Sequence, residues 1–247
     1  MGSGSKDRDV TASTQQRGDV AVLVPAAGRG ERLGPGLPKA LRELAGTSLL
    51  AHAVRRLSSA CSVGHLVVAV PPGGVAEVQA MLAPVLADSG VTLTVVVGGA
   101  ERQASVALAL AAVPDEYQIV LVHDAARAFA PAALADRVAA AVRAGHGAVI
   151  PVLPVVDTIK RVDADGAVEA TVDRSVLRSV QTPQGFQRAV LAAAHRAALA
   201  EPDRPATDDA GLVERMGGTV ATVPGDDAAL KITRPFDLEV AALLVDR

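Results

Sequence analysis

The sequence contains a single cysteine, Cys61, among its 247 residues. A lone cysteine excludes an internal disulfide, and the residues around Cys61 lack the ligand set of a metal site or the partners of an activated thiol. A core of this size needs neither a disulfide nor a metal for stability. We therefore predict that Cys61 is a small buried residue.

Long apolar runs are also missing. No run reaches the roughly 18 to 20 residues of a membrane-spanning helix without proline, glycine or charge. Residues 1–19 are polar and predict a disordered tail rather than a signal peptide. The net charge of −3 gives no sign of a polyanion-binding surface. We expect a cytoplasmic protein with neither membrane nor nucleic acid as a partner.

Lysine is scarce, with four lysines against twenty arginines. Lys6 lies in the predicted tail, so only Lys39, Lys160 and Lys231 belong to the fold. A lysine kept where arginine is used almost everywhere else indicates a site that needs a compact charge on a flexible stem, although chance explains the count as well.

The remaining chain alternates short β-branched runs with alanine-rich segments of helical spacing. Strands are predicted at 20–24, 66–70, 91–97, 119–122 and 148–152, and helices at 48–59, 74–87, 102–112, 131–144, 187–200, 208–216 and 235–245. This pattern predicts an α/β fold with a mostly parallel, doubly wound (Rossmann-like) sheet in one domain over residues 20–247. Ligands of such sheets bind at the carboxyl ends of the strands.

The pattern changes after Pro151. Two extended segments, 154–161 and 167–172, flank an Asp165-Gly166 step that favours a hairpin. We predict a β-ribbon arm over about residues 154–175. Because an isolated two-stranded ribbon is marginal in water, we expect the arm to pack on a second copy of the chain.

A small-residue loop follows the first strand. Pro25, Ala26, Ala27, Gly28 and Gly30 let backbone N–H groups approach an anion. Two cations, Arg32 and Lys39, follow at short spacing. Leu33 breaks a dinucleotide fingerprint, and no Gly-Lys-Ser/Thr sequence is present for a P-loop. The loop predicts phosphate binding of another kind; the alternative is a tight strand-to-helix turn.

Further candidates follow later strands. Asp124 is a candidate ligand of a hard cation that bridges ligand phosphates, or a helix cap, and Arg127 clamps phosphate or pairs with Asp124. His123 is interpreted as a residue that packs or forms a hydrogen bond, rather than as a metal ligand. The turn from Gly98 to Ser105 is predicted to bind a base or sugar; the alternative is an ordinary strand-to-helix turn. Outside the strand ends, Thr158 and Arg174 hold a second phosphate or belong to a solvated hairpin, and residues 207–210 indicate a helix N-cap.

These residues include cations and carboxylates but no nucleophile–base pair. The set suits direct in-line attack on a nucleoside triphosphate, in which the protein positions the reactants and neutralises charge. A nicotinamide-dependent oxidoreductase is disfavoured, because Arg32, Lys39 and Lys231 would have no role in hydride transfer.

The motifs resemble those of the 2-C-methyl-D-erythritol 4-phosphate cytidylyltransferase family. They are Pro25–Arg32 with Pro38-Lys39, His123–Arg127, Asp157–Lys160, Thr171–Arg174, Gln181–Gln184, Thr207–Ala210 and Lys231–Pro235. The resemblance implies a nucleotidyltransferase-type fold and transfer of a cytidylyl group from CTP to methylerythritol phosphate, with magnesium. It implies that Arg32, Lys39 and Lys231 are catalytic.

By the same resemblance, the CTP-binding residues are Pro25, Ala26, Ala27, Gly28, Gly30, Gly99, Ser105 and Ala125. The acceptor residues are Thr158, Arg174, Arg127, Thr182 and Thr207, of which Thr158 and Arg174 reach the acceptor from the partner subunit of a homodimer. Asp124 and Asp227 would hold the metal.

The sequence departs from the family pattern at four positions. Ala128 replaces a usual proline, Ala100 an acidic residue near the base, and Ala229 an asparagine, and Asp227 is one position from the expected metal carboxylate. Two alternatives stay open: a cytidylyltransferase for another polyol phosphate, such as ribitol 5-phosphate, and a nucleotide sensor that catalyses no reaction.

Overall fold

A mixed β-sheet forms the centre of the computed structural model, which describes residues 18–28, 38–200 and 206–245. The sheet contains eight strands in the order β10-β7-β11-β6-β1-β4-β5, with β12 also paired to β7. The strands are β1 (Val20–Pro25), β2 (Glu43–Leu44), β3 (Thr47–Ser48), β4 (Val63–Val70), β5 (Thr92–Val97), β6 (Ile119–Val122), β7 (Ala148–Pro154), β8 (Ile159–Val162), β9 (Val168–Val172), β10 (Arg178–Val180), β11 (Gln184–Gln187) and β12 (Val220–Pro224).

Helices cover both faces of the sheet. They are α1 (Leu49–Ser58), α2 (Val75–Leu86), α3 (Arg102–Ala111), α4 (Ala132–Arg143), α5 (Arg188–Ala198), α6 (Asp209–Arg215) and α7 (Pro235–Ala242). Alternate residues of β1 point to opposite faces, since Val22 packs in a core with α1, α2 and α4, and Leu23 packs in another with α3, α5 and α6. The predicted doubly wound α/β fold is confirmed.

Most neighbouring strands of the sheet are parallel, as predicted, but β10 and β11 are not. Strand β10 runs antiparallel to β7. Strand β11 runs antiparallel between β6 and β7, and the sequence pattern did not predict it. Glutamines and Gly185 give this strand no β-branched signal. Gly185 is required by packing, because a Cβ at this position would lie 2.5 Å from Val138 Cγ1 of α4. The helix therefore packs closely over the strand that carries this glycine.

Strands β10 and β11 lie end to end along one edge of β7. Val180 pairs with Val152, whereas Gly185 pairs with Val149. Five steps along one chain thus match three along the other, and the additional residues form a bulge at residues 181–183. This bulge brings Thr182 out of the strand register, toward the carboxyl end of β6.

The predicted arm is the separate antiparallel pair of β8 and β9. Asp163 closes its turn by accepting hydrogen bonds from the N–H groups of Asp165 and Ala167 at 3.0 and 2.8 Å. The extended segment expected from 154 is interrupted, since β7 ends at Pro154 and β8 begins at Ile159. Val156 and Val176, at the base of the arm, are 78% and 76% exposed.

Two local expectations differ from the structure. Cys61 is exposed, so the prediction of a buried residue is wrong; it lies in the turn before β4, where its N–H donates to Asp136 at 3.3 Å. Asp19, which the prediction assigned to the tail, accepts a hydrogen bond from Arg143 Nε at 3.0 Å. Among the described residues, no helix has both the length and the apolar character needed to cross a membrane.

Candidate active site

A cavity of about 240 Å³ opens where the carboxyl ends of β1, β5 and β6 meet. The loops after these strands line it, as expected for ligand sites of open α/β sheets. Predicted site residues at the cavity are Pro25, Ala26, Ala27, Gly28, Lys39, Gly99, Ser105, Asp124, Ala125 and Lys231. One edge of the sheet therefore gathers residues that are up to 206 positions apart in the sequence.

The loop after β1 forms one wall. Ala26 donates its N–H to the Ala69 carbonyl at 2.7 Å, which continues the pairing of β1 with β4. Lys39 begins a short 3-10 helix, Lys39–Leu41, on the same wall. Two predicted residues of this loop, Gly30 and Arg32, lie outside the described residues.

A second glycine turn faces this loop. A Cβ at Gly98 would lie 2.7 Å from Ala27 Cβ, so the two loops approach closely only because residue 98 is glycine. The Ser105 hydroxyl accepts from the Gly99 N–H at 3.1 Å and lies 3.0 Å from the Glu101 carbonyl. Ser105 therefore holds the turn at the start of α3, and its predicted contact with a base stays a prediction.

Asp124 lines the cavity and lies between two cations. Its Oδ1 is 3.2 Å from Arg102 Nε and its Oδ2 is 2.7 Å from Lys231 Nζ. Burial by itself raises the pKa of Asp124, but the charges of Arg102 and Lys231 outweigh it and hold that pKa well below its ordinary value. The carboxylate is thus ionised and oriented. Asp124 does not cap α4, whose N-cap is Pro131.

Arg102 links Asp124 to a second buried carboxylate. Its Nη1 donates to Asp209 Oδ2 at 2.7 Å, and His195 Nε2 lies 2.9 Å from Asp209 Oδ1. Sequence reasoning missed this network. Residues 207–210 were interpreted as a helix cap, and Asp208 does cap α6 by accepting from the Gly211 N–H at 2.9 Å. The next residue, Asp209, faces the interior instead.

Thr182 holds the backbone of Asp124 and also contacts the ring of His123. The Thr182 hydroxyl accepts from the Asp124 N–H at 3.1 Å and lies 3.2 Å from His123 Nδ1. His123 Nε2 donates to the Arg127 carbonyl at 3.3 Å, since a carbonyl can only accept. Burial lowers the pKa of His123 to about 4. The ring is therefore neutral near pH 7. Its burial and the contacts of both ring nitrogens agree with the interpretation of His123 as a packing or hydrogen-bonding residue.

The segment that carries Lys231 is held by hydrogen bonds to its backbone groups. Arg127 donates to the Ala229 carbonyl at 2.7 Å and to the Val180 carbonyl at 3.0 Å, so its guanidinium braces two chain segments. The Ile232 N–H donates to the Ala126 carbonyl at 2.8 Å. Asp227 lies in the 3-10 helix Asp227–Ala229 and is not among the described residues that line the cavity.

The predicted acceptor residues are dispersed. Thr158 and Arg174 are exposed on the arm, where Arg174 donates to the Val156 carbonyl. Thr207 is exposed just before α6, whereas Thr182 is buried behind Asp124. Within the described part of one chain, none of these residues lines the cavity. Their roles stay predictions.

Comparison with known proteins assigns the chain to a family. Residues 20–247 match the model of IspD, 2-C-methyl-D-erythritol 4-phosphate cytidylyltransferase. The chain belongs to this family. The protein of that name from Saccharopolyspora erythraea is 57% identical over 226 residues, which span 90% of this chain and 97% of that protein. Its counterpart in Frankia casuarinae is 53% identical over 228 residues, 92% of this chain and 82% of that protein.

Solved structures of the IspD family share the fold. The Thermus thermophilus cytidylyltransferase is 38% identical, with a TM-score of 0.74 over 92% of this chain and 99% of that one. The 4-diphosphocytidyl-2C-methyl-D-erythritol synthase of Anaerococcus prevotii is 26% identical, with a TM-score of 0.78 over 92% and 98% of the two chains.

Proposed function

We propose that this protein transfers the cytidylyl group of CTP to 2-C-methyl-D-erythritol 4-phosphate, giving 4-diphosphocytidyl-2-C-methyl-D-erythritol and pyrophosphate in non-mevalonate isoprenoid precursor synthesis. Membership of the IspD family supports this reaction. The observation that carries the proposal is the cavity in which Asp124 and Lys231 form an ion pair beside the small-residue loop and Lys39.

The reaction needs little covalent chemistry from the protein. A phosphate oxygen of the acceptor attacks the α-phosphorus of CTP, the bond from that phosphorus to the oxygen bridging to the β-phosphorus breaks, and pyrophosphate leaves with the bonding electrons. Negative charge builds up on the non-bridging and leaving oxygens, so cations fixed beside the triphosphate lower the barrier. Lys39 and Lys231 supply such charges at the cavity, and Arg32 is the third cation of the proposal.

The triphosphate would lie against the backbone from Pro25 to Gly30, where small side chains leave the N–H groups accessible. Cytosine and ribose would contact Gly99, Ser105 and Ala125 on the opposite wall. Because Ser105 already holds the Gly99 turn, base recognition would depend on the main chain of that turn.

Asp124 suits a magnesium ion, since Mg²⁺ is commonly bound through one or two carboxylates together with substrate phosphates. Among the described residues, no three His, Cys, Asp or Glu side chains are grouped as a metal site. The nucleotide's phosphates would therefore complete the coordination, and Asp227 is the weaker candidate because it does not line the cavity. A bound ion would neutralise charge on the triphosphate and the leaving pyrophosphate.

The acceptor would be held partly by the partner subunit of a homodimer. The exposed arm supports this proposal, because Thr158 and Arg174 are solvent-facing and do not line the cavity of their own chain. A guanidinium forms strong charge-assisted hydrogen bonds with phosphate. Thr182, Thr207 and Arg127 complete the proposed acceptor set, with Thr182 and Arg127 also bracing the site. A cytoplasmic location remains a prediction of the sequence.

The direct test is pyrophosphate release with magnesium and CTP, offering methylerythritol phosphate and ribitol 5-phosphate in parallel reactions. Release with methylerythritol phosphate alone is expected. Release with ribitol 5-phosphate alone would keep the chemistry and change the acceptor. Binding of CTP without release from either acceptor would support a nucleotide sensor and contradict the proposed function.

A further inference from the structure

Asp209 is the most deeply buried carboxylate near the cavity, with a side chain 1% exposed. One of its oxygens meets Arg102 at 2.7 Å and the other meets His195 at 2.9 Å. Burial alone would raise the pKa of Asp209. The hydrogen bond from His195 and the charge of Arg102 together lower it by more, so the pKa lies below its ordinary value. Asp209 is thus a buried anion with a specific partner on each oxygen.

This arrangement is not explained by helix capping. Asp208, not Asp209, accepts from the Gly211 N–H at the start of α6, and Gln184 donates to its other oxygen at 2.7 Å. Nor is a buried ion pair a strong source of stability, because desolvation of both charges offsets much of their attraction. The feature that distinguishes Asp209 is the direction in which it holds Arg102.

We propose that Asp209, itself fixed by His195, is a positioning residue that orients Arg102 and through it the carboxylate of Asp124. The proposal rests on the function proposed above. Arg102 uses Nη1 for Asp209 and Nε for Asp124, so one planar guanidinium sets the angle between the two carboxylates. With Oδ1 of Asp124 held in this way, Oδ2 is presented to Lys231 at 2.7 Å and to the cavity.

His195 completes the chain of contacts from the interior. An ionised carboxylate can only accept, so His195 Nε2 carries the hydrogen and donates to Asp209. His195 is 6% exposed and lies on α5, and the contacts therefore tie the packing of α5 and α6 to the position of the cavity carboxylate. Residues that orient a metal ligand in this way typically change affinity or activity by about 10- to 100-fold when mutated.

The first experiment compares the full-length protein with its Asp209→Asn variant, which keeps the side-chain size and removes the charge. We expect turnover to fall about 10-fold or more, with the KM for the acceptor unchanged. CTP affinity measured by calorimetry without metal should stay near wild type, whereas the increase in affinity on adding magnesium should be smaller. Because calorimetry measures binding and not catalysis, it tests the positioning role of Asp209 even if the wild-type protein shows no activity. An inactive wild-type protein would contradict the proposed function but not the positioning role.

A double-mutant cycle with Arg102→Gln tests the route. If Asp209 acts through Arg102, the double variant should have the turnover and magnesium response of Arg102→Gln alone. Losses that simply multiply would overturn the proposal. Arg102→Lys should not restore activity, because one ammonium group cannot reproduce the two-sided contact of a guanidinium.

Two further variants separate positioning from folding. Asp136→Asn is the matched control, since Asp136 accepts from the Ser62 N–H and hydroxyl at 2.8 and 2.6 Å at the opposite end of the sheet. It should lower the melting temperature without altering the magnesium response. If Asp209→Asn does not fold, His195→Leu tests the same contact, and His195→Gln should recover turnover because its amide can donate to Asp209. Loss of stability in these variants with unchanged turnover and magnesium response would overturn the proposal.

Discussion

The ion pairs at the cavity and those on the arm have similar distances and very different surroundings. Arg102 and Asp209 are 2.7 Å apart with side chains 32% and 1% exposed, whereas Arg161 and Glu169 on the arm are 3.0 Å apart with side chains 67% and 47% exposed. Water screens the exposed pair, which contributes about 0 to 1 kcal/mol, whereas breaking a buried pair costs about 3 to 5 kcal/mol. Distance alone therefore does not rank these contacts.

The two regions also differ in how their functional side chains are held. At the cavity, Asp124 is fixed by contacts within the chain to Arg102, Lys231 and Thr182. On the arm, Thr158 and Arg174 are exposed. The carboxylate of the proposed nucleotide site is therefore held within one chain, whereas the acceptor site proposed above would need the arm of a second copy.

The largest effect is expected at the cavity. Lys231→Ala should lower turnover by about three orders of magnitude, because a fixed cation beside the reacting phosphates acts mainly on the transition state. CTP affinity should change little, as measured by calorimetry alongside steady-state kinetics. Lys231→Arg, which keeps the charge, should retain part of the activity. An equal loss in affinity and turnover would remove the transition-state role from Lys231.

A smaller and different effect is expected on the arm. Arg174→Ala should raise the KM for the acceptor by about 10- to 100-fold, the range for losing a hydrogen bond to a charged group, and leave CTP affinity unchanged. Arg161→Ala is the matched control, since Arg161 contacts Glu169 on the same hairpin. If both variants behave alike, Arg174 has no special contact with the acceptor.

Subunit mixing tests whether the arm completes the neighbouring site. At an acceptor concentration well below the KM of the Arg174→Ala variant, where each variant alone has little activity, equal amounts of Lys39→Ala and Arg174→Ala protomers should regain about one quarter of wild-type activity. Random exchange makes half of the dimers mixed, and one of the two sites in each mixed dimer is intact. Native mass spectrometry would establish the exchange. No recovery in mixed dimers would show that each subunit keeps its own site.

The smallest effect is expected from the exposed pair on the arm. Glu169→Ala should change the free energy of unfolding by less than about 1 kcal/mol, and a double-mutant cycle with Arg161→Ala should give a coupling energy in the same range. Chemical denaturation at low and high salt measures both. A coupling above about 2 kcal/mol that persists in high salt would mean that the pair is buried in the assembled protein.

Periodicity predicted the parallel strands and their covering helices because strands buried on both faces leave continuous apolar runs. It could not predict β11, whose place in the sheet depends on Gly185 fitting beneath Val138. Cys61 was misjudged because residue type alone does not reveal a surface turn.

The candidate site was predictable to the extent that its residues follow strands directly. Gly28, Gly99 and Asp124 were expected at one edge of the sheet and all line the cavity. Arg102 and Asp209 were missed because each begins a helix and they are 107 positions apart. Only the fold brings their charges together, and no local pattern marks such a pair.

The position of Lys231 late in the chain affects the order in which the enzyme is completed during synthesis. Seven of the eight strands of the described sheet precede Val220, so a nascent chain that stops there already contains the glycine turns and Asp124. It lacks the lysine that meets Asp124 and the Ala229 carbonyl that receives Arg127. A growing polypeptide could therefore assemble most of the nucleotide pocket on the ribosome while remaining unable to catalyse the transfer until its last segment is added.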